Sequence, residues 1–183
     1  SRNYHYRGMI LNNLNNFDLA LEDENKAVDN EPNNARYYNC RAIIELNLKC
    51  YKEALKDVNK AISLDAKVEY KGYKSLILIG LKKYQEALEI LDEIGNFKDR
   101  GVLYGYRAFA KFKLAKLQNQ STPDDVWRDL EKSTELGAND YECIGISAEL
   151  YLLNNQLEKA KDLLDKAFRL TSNDSDLYHL FAL

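Results

Sequence analysis

Apolar residues recur at helical spacing along the whole chain, and the clearest stretch is YYNCRAIIELNLKCYKEALKDVNKAISLD, residues 37–65. Residues spaced three or four apart lie on one face of a helix, so this stretch predicts a helix, a turn and a second helix. Small residues interrupt the apolar face at Ala42 in the first helix and at Ala54 and Ala61 in the second. A one-carbon side chain lets a neighbouring helix approach closely, so these positions predict helix packing.

The same small positions recur at a constant period. The first-helix slot is occupied at intervals of 34, 33, 33, 40 and 34 residues by Gly8, Ala42, Ser75, Ala108, Ala148 and Ala182. Two slots in the second helix follow the same series, namely Ala20, Ala54, Ala87, Val126 and Ala160, and then Ala27, Ala61, Ile94, Ser133 and Ala167. Three slots with one period predict a repeated helical hairpin.

This pattern resembles the tetratricopeptide repeat, a 34-residue helix-turn-helix with small residues at these slots and often a closing proline, as at Pro32. The resemblance implies an all-α fold, an α-solenoid of antiparallel helix pairs in a right-handed superhelix. It also implies that the chain works by holding other proteins. We expect a single array over 1–183, with repeats at 1–34, 35–67, 68–100, 101–139 and 140–173 and a partial repeat or terminal helix at 174–183.

The fourth repeat carries an insertion of six residues near 115–122. Thr122, Pro123 and Asp125 read as a helix start, with a hydroxyl cap, a proline in the first turn and an acid three residues after the cap. We therefore expect the preceding helix to extend by a few residues and an exposed turn to follow at 119–122. Gly95 is expected to end the last helix of the third repeat.

In the family that the pattern resembles, the first helix of each repeat lines a concave groove. The resemblance therefore implies a mainly apolar and aromatic groove whose candidate partner-binding residues are Tyr6, Met9, Asn39, Ile43, Asn47, Tyr73, Leu76, Tyr106, Phe109, Ile146 and Glu149. Three glycines at equivalent positions, Gly72, Gly105 and Gly145, are expected to clear space beside it. The alternative interpretation is that some of these side chains pack against facing helices.

One subgroup of the family grips the terminal carboxylate of chaperones with lysine, asparagine and arginine. The corresponding residues of the first three repeats here are His5, Met9, Cys40, Glu69 and Tyr73, and neither of the shifted frames supplies the cations. An anion needs paired charge or donors when it is bound. The sequence therefore favours a peptide or helical segment held by apolar contacts over a carboxylate clamp.

Catalytic and metal-binding motifs are not visible in the sequence. The two histidines, His5 and His179, lie at opposite ends, and a lone histidine on a helix is more often a surface or packing residue. The acidic run 22–24 is expected to form a solvated helix face or to supply helix-start charges. The chain is therefore predicted not to be an enzyme and to use no cofactor and no metal. Its three cysteines lack paired spacing, which is typical of reduced thiols in a cytoplasmic protein.

Charge and hydropathy narrow the class of partner. The net charge of −3 offers no field for phosphate backbones, and the longest apolar run is too short to span a membrane. An RNA-binding helical repeat is the alternative, supported by a local aromatic and basic cluster of Tyr106, Arg107, Phe109, Lys111 and Lys113. A third interpretation is that the chain is a regulatory module of a larger enzyme. The chain begins without methionine, so we expect a piece of a longer protein, and the apolar segment 175–183 is expected to continue or to meet another molecule, with self-association included.

Overall fold

The structure is a computed structural model that describes residues 1–95, 97–98, 100–137 and 141–170, with the backbone alone described at 141–143, 146 and 166–170. Within these ranges the chain forms ten helices and no strand, in two compact units, Ser1–Ile94 and Gly95–Leu183. The first unit contains α1 (Arg2–Asn13), α2 (Phe17–Asn30), α3 (Ala35–Asn47), α4 (Tyr51–Leu64), α5 (Val68–Gly80) and α6 (Tyr84–Ile94). The second contains α7 (Gly101–Leu117), α8 (Asp124–Glu135), α9 (Tyr141–Leu153) and α10 (Leu157–Leu170).

Consecutive helices pair as hairpins, α1 with α2, α3 with α4 and α5 with α6 in the first unit, and α7 with α8 and α9 with α10 in the second. The predicted all-α helical-repeat class is thereby confirmed. The terminal helix expected at 174–183 lies outside the described residues. None of the helices in the described part of the chain has both the length and the apolar character needed to cross a bilayer.

Every hairpin turn has the same backbone conformation. Two residues after the first helix of each pair, φ is between 54° and 60°, at Asn15, Lys49, Lys82, Asn119 and Asn155. The residue that follows donates its N–H back to a carbonyl five positions earlier, as Asn16 does to Leu11 at 2.8 Å. This is the Schellman arrangement, which satisfies carbonyls left open at a helix end. Asparagine tolerates the left-handed region, which suits Asn15, Asn119 and Asn155 to this position.

The insertion in the fourth repeat divides between helix and turn as expected. Helix α7 has 17 residues against 13 in α3 and α5, and the turn 118–123 follows it. The expected cap at Thr122 is wrong, because Pro123 is the N-cap residue and α8 begins at Asp124 without a side-chain cap. The backbone of Pro123 is extended, with ψ at 143°, so it cannot form the first helical turn. The side chain of Asp125 accepts from Lys111 Nζ at 2.6 Å.

The slots that carry the repeat are buried. Full burial is seen across the earlier second-helix slot, at Ala20, Ala54, Ala87, Val126 and Ala160. The first-helix slot is also buried at each described member, Gly8, Ala42, Ser75, Ala108 and Ala148. In the later slot Ile94 is only half-buried, and it is followed by Gly95 at φ 69°, which confirms the predicted helix stop. The small side chains at most of these slots let the paired helices pack at short distance.

Three of the five hairpins also share a buried ion pair that the sequence reading did not single out. An arginine just before the first-helix slot holds an aspartate three residues after the second-helix slot, in the pairs Arg7–Asp23, Arg41–Asp57 and Arg107–Asp129. Each guanidinium donates two hydrogen bonds to the carboxylate. The aspartates are buried and the arginines more exposed, so each pair fastens the two helices of one hairpin.

Candidate functional site

A pocket of about 220 Å³ lies on the first unit and is lined by residues from α1, α3 and α5, the first helices of three successive repeats, and by one residue from α2. Its lining comes from α1, α2, α3 and α5 and consists of Met9, Asn12, Asn13, Glu24, Cys40, Ile43, Ile44 and Tyr73. Most of this lining is apolar or uncharged, and Asn13 is exposed at the rim. The three helices belong to successive repeats, so the repeat itself brings these side chains to one place.

Three predicted groove residues, Met9, Ile43 and Tyr73, line this pocket. Met9 is 36% exposed, whereas the side chains of Ile43 and Tyr73 are partly buried and that of Tyr73 also packs on the core of the unit. Asn13 and Cys40 lie in the same helical stripes and also line it. The pocket therefore combines one accessible apolar side chain with two that are held by the fold.

The other predicted residues of the first unit lie apart from the pocket lining. Tyr6 is exposed and its ring lies 5.6 Å from that of His5, centroid to centroid. The Asn47 Nδ2 atom donates to Asn12 Oδ1 at 2.9 Å, which ties α3 to α1. Leu76 and Asn39 are 9% and 6% exposed, so both offer little surface in the free chain. Their role in partner binding stays a prediction.

In the second unit the predicted residues differ in burial and charge. Tyr106 is only 6% exposed, and Phe109 is partly buried. The ammonium of Lys113 lies 4.9 Å from the centroid of the Phe109 ring and 2.6 Å from Glu149 Oε1. The side chain of Ile146 lies outside the described residues. Glu149 thus forms an ion pair on this surface, and the burial of Tyr106 favours packing for that ring.

A buried histidine–glutamate pair joins α1 to α2 beside the pocket. His5 and Glu24 are 2% and 0% exposed, and His5 Nδ1 lies 2.8 Å from Glu24 Oε1. The ring of His5 also packs on Tyr37, with centroids 4.8 Å apart. The expectation of a solvated face for the acidic run is therefore wrong at Asp23 and Glu24, because α1 covers both carboxylates. Glu22 alone matches it, with an exposed pair to Lys26.

Burial controls the protonation of this pair. Loss of solvent raises the pKa of Glu24 to about 8, and the neighbouring charge of Asp23 adds to that rise. Burial also lowers the pKa of His5, with a smaller effect from the positive charge of Arg36. Both shifts favour the neutral forms, so near neutral pH the pair is an uncharged hydrogen bond rather than an ion pair.

Two atoms of the pair have no hydrogen-bond partner. His5 Nε2 and Glu24 Oε2 are buried without one, in a part of the chain where the structure describes every residue. Buried polar atoms are nearly always satisfied in folded proteins, so each orphan atom calls for an explanation. His5 and Glu24, which hydrogen-bond to each other, thus each keep one buried polar atom without a partner.

Cys40 completes the cluster from α3. One ligand-type atom from each of His5, Glu24 and Cys40 lies within 4.8 Å of the other two. Burial raises the pKa of the Cys40 thiol to about 12, with a further contribution from Glu24, so the free thiol is protonated. A protonated thiol is a poor nucleophile, which argues against a catalytic cysteine in the free chain.

A repeat alignment contains the signal that reveals Glu24. Four residues after the second-helix slot, the other repeats have apolar residues, Val58, Leu91, Leu130 and Leu164, where the first has a glutamate. Gly8 accommodates this glutamate, since a Cβ there would lie 3.2 Å from Glu24 Oε1. An ionisable residue at a position that is apolar in the other repeats is a local inconsistency of the kind expected at functional sites.

A second, more open pocket of about 550 Å³ lies at the turns that join successive repeats of the first unit. Its lining includes Pro32, Asn34 and Tyr70. The Asn34 side chain accepts from Arg36 N at 3.2 Å, where it caps α3. This lining is accounted for by turn and cap chemistry, and it contains none of the predicted groove residues.

Comparison with known proteins identifies the fold. No protein-family model matches the chain, and no curated protein matches it. Solved structures do match: TTC0263, a thermophilic tetratricopeptide-repeat protein of Thermus thermophilus, has 20% identity and a TM-score of 0.78, over 99% of this chain and 96% of its own. YrrB, described as having an unusual peptide-binding site, has 18% identity and a TM-score of 0.58, over 98% and 91%.

The TPR2B domain of yeast Sti1, in a complex with pHsp70, matches with 24% identity and a TM-score of 0.50, over 73% of this chain and 95% of that domain. Identities of this size establish the fold. The chain therefore has the helical-repeat fold of tetratricopeptide-repeat proteins, as its repeat pattern predicts.

Proposed function

We propose that this chain is a protein-interaction scaffold that binds a peptide or helical segment of a partner through the pocket of the first unit. The observation that carries the proposal is the convergence of Met9, Ile43 and Tyr73, from three successive first helices, on one pocket of about 220 Å³. A pocket of this size suits one large apolar side chain of a partner. Specific interfaces commonly place such an anchor in a central pocket.

The chemistry of the pocket supports an apolar anchor over a bound carboxylate. Its lining contains no lysine or arginine, and its one acid, Glu24, is held neutral by burial. The exposed amide of Asn13 at the rim is placed to hydrogen-bond a peptide backbone. The pocket is thus unlike a chaperone carboxylate clamp. Support at the level of the fold comes from YrrB, with its peptide-binding site, and from the Sti1 complex.

The pairing of cations in the second unit favours a protein partner over RNA. Lys111 contacts Asp125 and Asp129, and Lys113 contacts Glu149. A cation already held by a carboxylate contributes less to binding a phosphate backbone, because the existing pair has to be broken first. The aromatic and basic cluster in this unit is therefore better explained as internal pairing.

A displayed library of random peptides, selected against the whole chain, tests the proposal. The tightest peptide is synthesised with a fluorophore, and its Kd is measured by anisotropy. We expect a Met9→Glu variant to weaken binding by about 30-fold, which corresponds to about 2 kcal/mol, because it puts a charge into an apolar pocket. Tyr73→Ala is expected to weaken binding as well.

Ile10 provides the matched control for Met9. It is the next residue of α1 and is 59% exposed, but it is not part of the pocket lining. Ile10→Glu should therefore leave the Kd unchanged, and circular dichroism should show both variants folded. Binding that survives Met9→Glu and is lost in Ile10→Glu would place the site elsewhere. Tight binding of a single-stranded RNA that weakens steeply with salt would favour the alternative function.

A further inference from the structure

Three helices of the first unit bring an imidazole, a carboxylate and a thiol together. His5 comes from α1, Glu24 from α2 and Cys40 from α3, and their candidate ligand atoms lie within 4.8 Å of one another. These are the three side-chain types that bind zinc in proteins. Tetrahedral zinc holds such atoms roughly 3.3–3.6 Å apart, a spacing that falls within the 4.8 Å limit of this cluster, so side-chain adjustments could bring the three groups around an ion.

The tetratricopeptide scaffold does not require these residues, since the other repeats do without them. At the position of His5 the later repeats carry Asn39, Gly72, Gly105 and Gly145, and at the position of Cys40 two of them carry Tyr73 and Tyr106. At the position of Glu24 they carry only apolar residues. His5, Glu24 and Cys40 thus each differ from the residues at the equivalent positions of other repeats, and the fold brings all three together. Gly8 is a fourth such difference, and it leaves room for the Glu24 carboxylate.

The cluster also has unused binding capacity. His5 Nε2 and Glu24 Oε2 are both buried without a hydrogen-bond partner, and their side chains are at least 98% buried. Each orphan atom costs stability, because it has lost its hydrogen bonds to water without gaining a partner. A cation bound at the cluster would take an electron pair from the imidazole and one from the carboxylate, so it would add favourable contacts to side chains that are incompletely satisfied without it.

An ion can reach the cluster and keep an open coordination position. Glu24 and Cys40 both line the pocket of about 220 Å³, and Cys40 is only partly buried, so the pocket is the route by which an ion would approach the cluster. Three protein ligands leave the fourth position of a tetrahedral ion for water or for a ligand in the pocket. A sulfur and an imidazole beside one carboxylate favour zinc, cobalt or copper over magnesium or calcium, which prefer oxygen ligands.

We propose that His5, Glu24 and Cys40 form a transition-metal site, with zinc as the expected ion, at the base of the first-unit pocket. The site does not depend on peptide binding for its formation. A bound ion would join α1, α2 and α3 and thereby fasten the first repeat to the second.

Cobalt(II) tests the site directly, because its spectrum reports coordination. The probe is CoCl2 added to the full chain with Cys50→Ser and Cys143→Ser, which leaves Cys40 as the single thiol. We expect one equivalent to bind, with the visible bands of four-coordinate cobalt and a near-ultraviolet thiolate-to-cobalt band, and ZnCl2 to displace it. Absence of binding, or binding without the thiolate band, would overturn the proposal.

Variants assign the other two ligands. Glu24→Gln is expected to weaken zinc binding by at least about tenfold, measured by calorimetry. Glu45→Gln is the matched control, since the Glu45 carboxylate also has a buried oxygen without a hydrogen bond but lies outside the cluster. The chain has only two histidines, so with His179→Gln the imidazole NMR signals belong to His5 alone. These signals should shift on zinc addition; unshifted signals, or equal losses in Glu24→Gln and Glu45→Gln, would contradict the assignment.

Discussion

The Arg41–Asp57 pair should show how much the chain relies on its buried ion pairs. Asp57 is 6% exposed at the side chain and accepts two hydrogen bonds from Arg41, which itself is 19% exposed. Replacement of Arg41 by methionine keeps the aliphatic packing and leaves the carboxylate buried without its cation. Breaking a buried pair in this way costs about 3–5 kcal/mol, and the partial exposure of Arg41 favours the lower end, about 3 kcal/mol.

The chain itself contains hairpins in which an apolar residue stands where the aspartate of this pair would be. In the third hairpin the equivalent positions are Lys74 and Ile90, and in the fifth they are Ser147 and Leu163. The double variant Arg41→Met/Asp57→Ile should therefore recover most of the loss and unfold within about 1 kcal/mol of the parent, because no charge is left buried. The expected coupling between the two sites is about 2 kcal/mol or more.

Urea unfolding followed by far-ultraviolet circular dichroism measures these differences from the shift of the midpoint at constant slope. Lys26→Met is the control, because Lys26 forms an exposed pair with Glu22 and its loss should cost less than about 0.5 kcal/mol. The reasoning is refuted if Arg41→Met costs less than about 1 kcal/mol, or if the double variant is as unstable as the single one.

Further predictions concern packing, backbone and pH. Ala54→Trp should destabilise the chain by about 1–3 kcal/mol or more in urea, because Ala54 is fully buried between paired helices, whereas Lys56→Trp on the exposed face should not; an unchanged midpoint for Ala54→Trp would mean that the slot is open. Lys82→Gly should stabilise by about 0.5–1 kcal/mol, since φ is 60° there, and a lower midpoint would count against the turn assignment. Burial raises the pKa of Glu45 to about 7 from its ordinary 4.5, so the folded chain holds an extra proton between these values; its contribution to stability is full below pH 4.5 and is lost as the pH rises through 7. For this partly exposed group we expect a loss of about 1–2 kcal/mol, and the loss should be absent in Glu45→Gln when unfolding is compared at pH 5 and pH 8; equal losses in both proteins would exclude Glu45 as the cause.

Local pattern was sufficient to predict the helices and the slots between them. Ala54, Ala87 and Ala160 are fully buried at the predicted repeat positions. A helix places residues three and four apart on one face, so a small residue that recurs within an apolar stripe has to meet a neighbouring backbone. Residue type predicted the helix stop at Gly95, because left-handed backbone favours glycine.

The prediction of a solvated face was wrong at Glu24, and a comparison of equivalent positions in the five repeats would have corrected it. A run of three acids is usually solvated, yet Glu24 lies four residues after Ala20, on the buried face of α2. Its burial follows from helical period together with the apolar residues at equivalent positions. The meeting of Glu24 with Cys40 needed the structure, because those residues belong to different repeats and their distance depends on how the repeats stack.

The groove shows what only the tertiary structure decided. Met9 and Tyr106 belong to equivalent stripes of their repeats, yet Met9 is accessible beside a pocket and Tyr106 is buried. The sequence determined which face of each first helix carries apolar and aromatic side chains, since that depends on period alone. Whether a given side chain on that face stays open depends on what the rest of its unit places over it, and burial is a property of contacts between residues far apart in sequence.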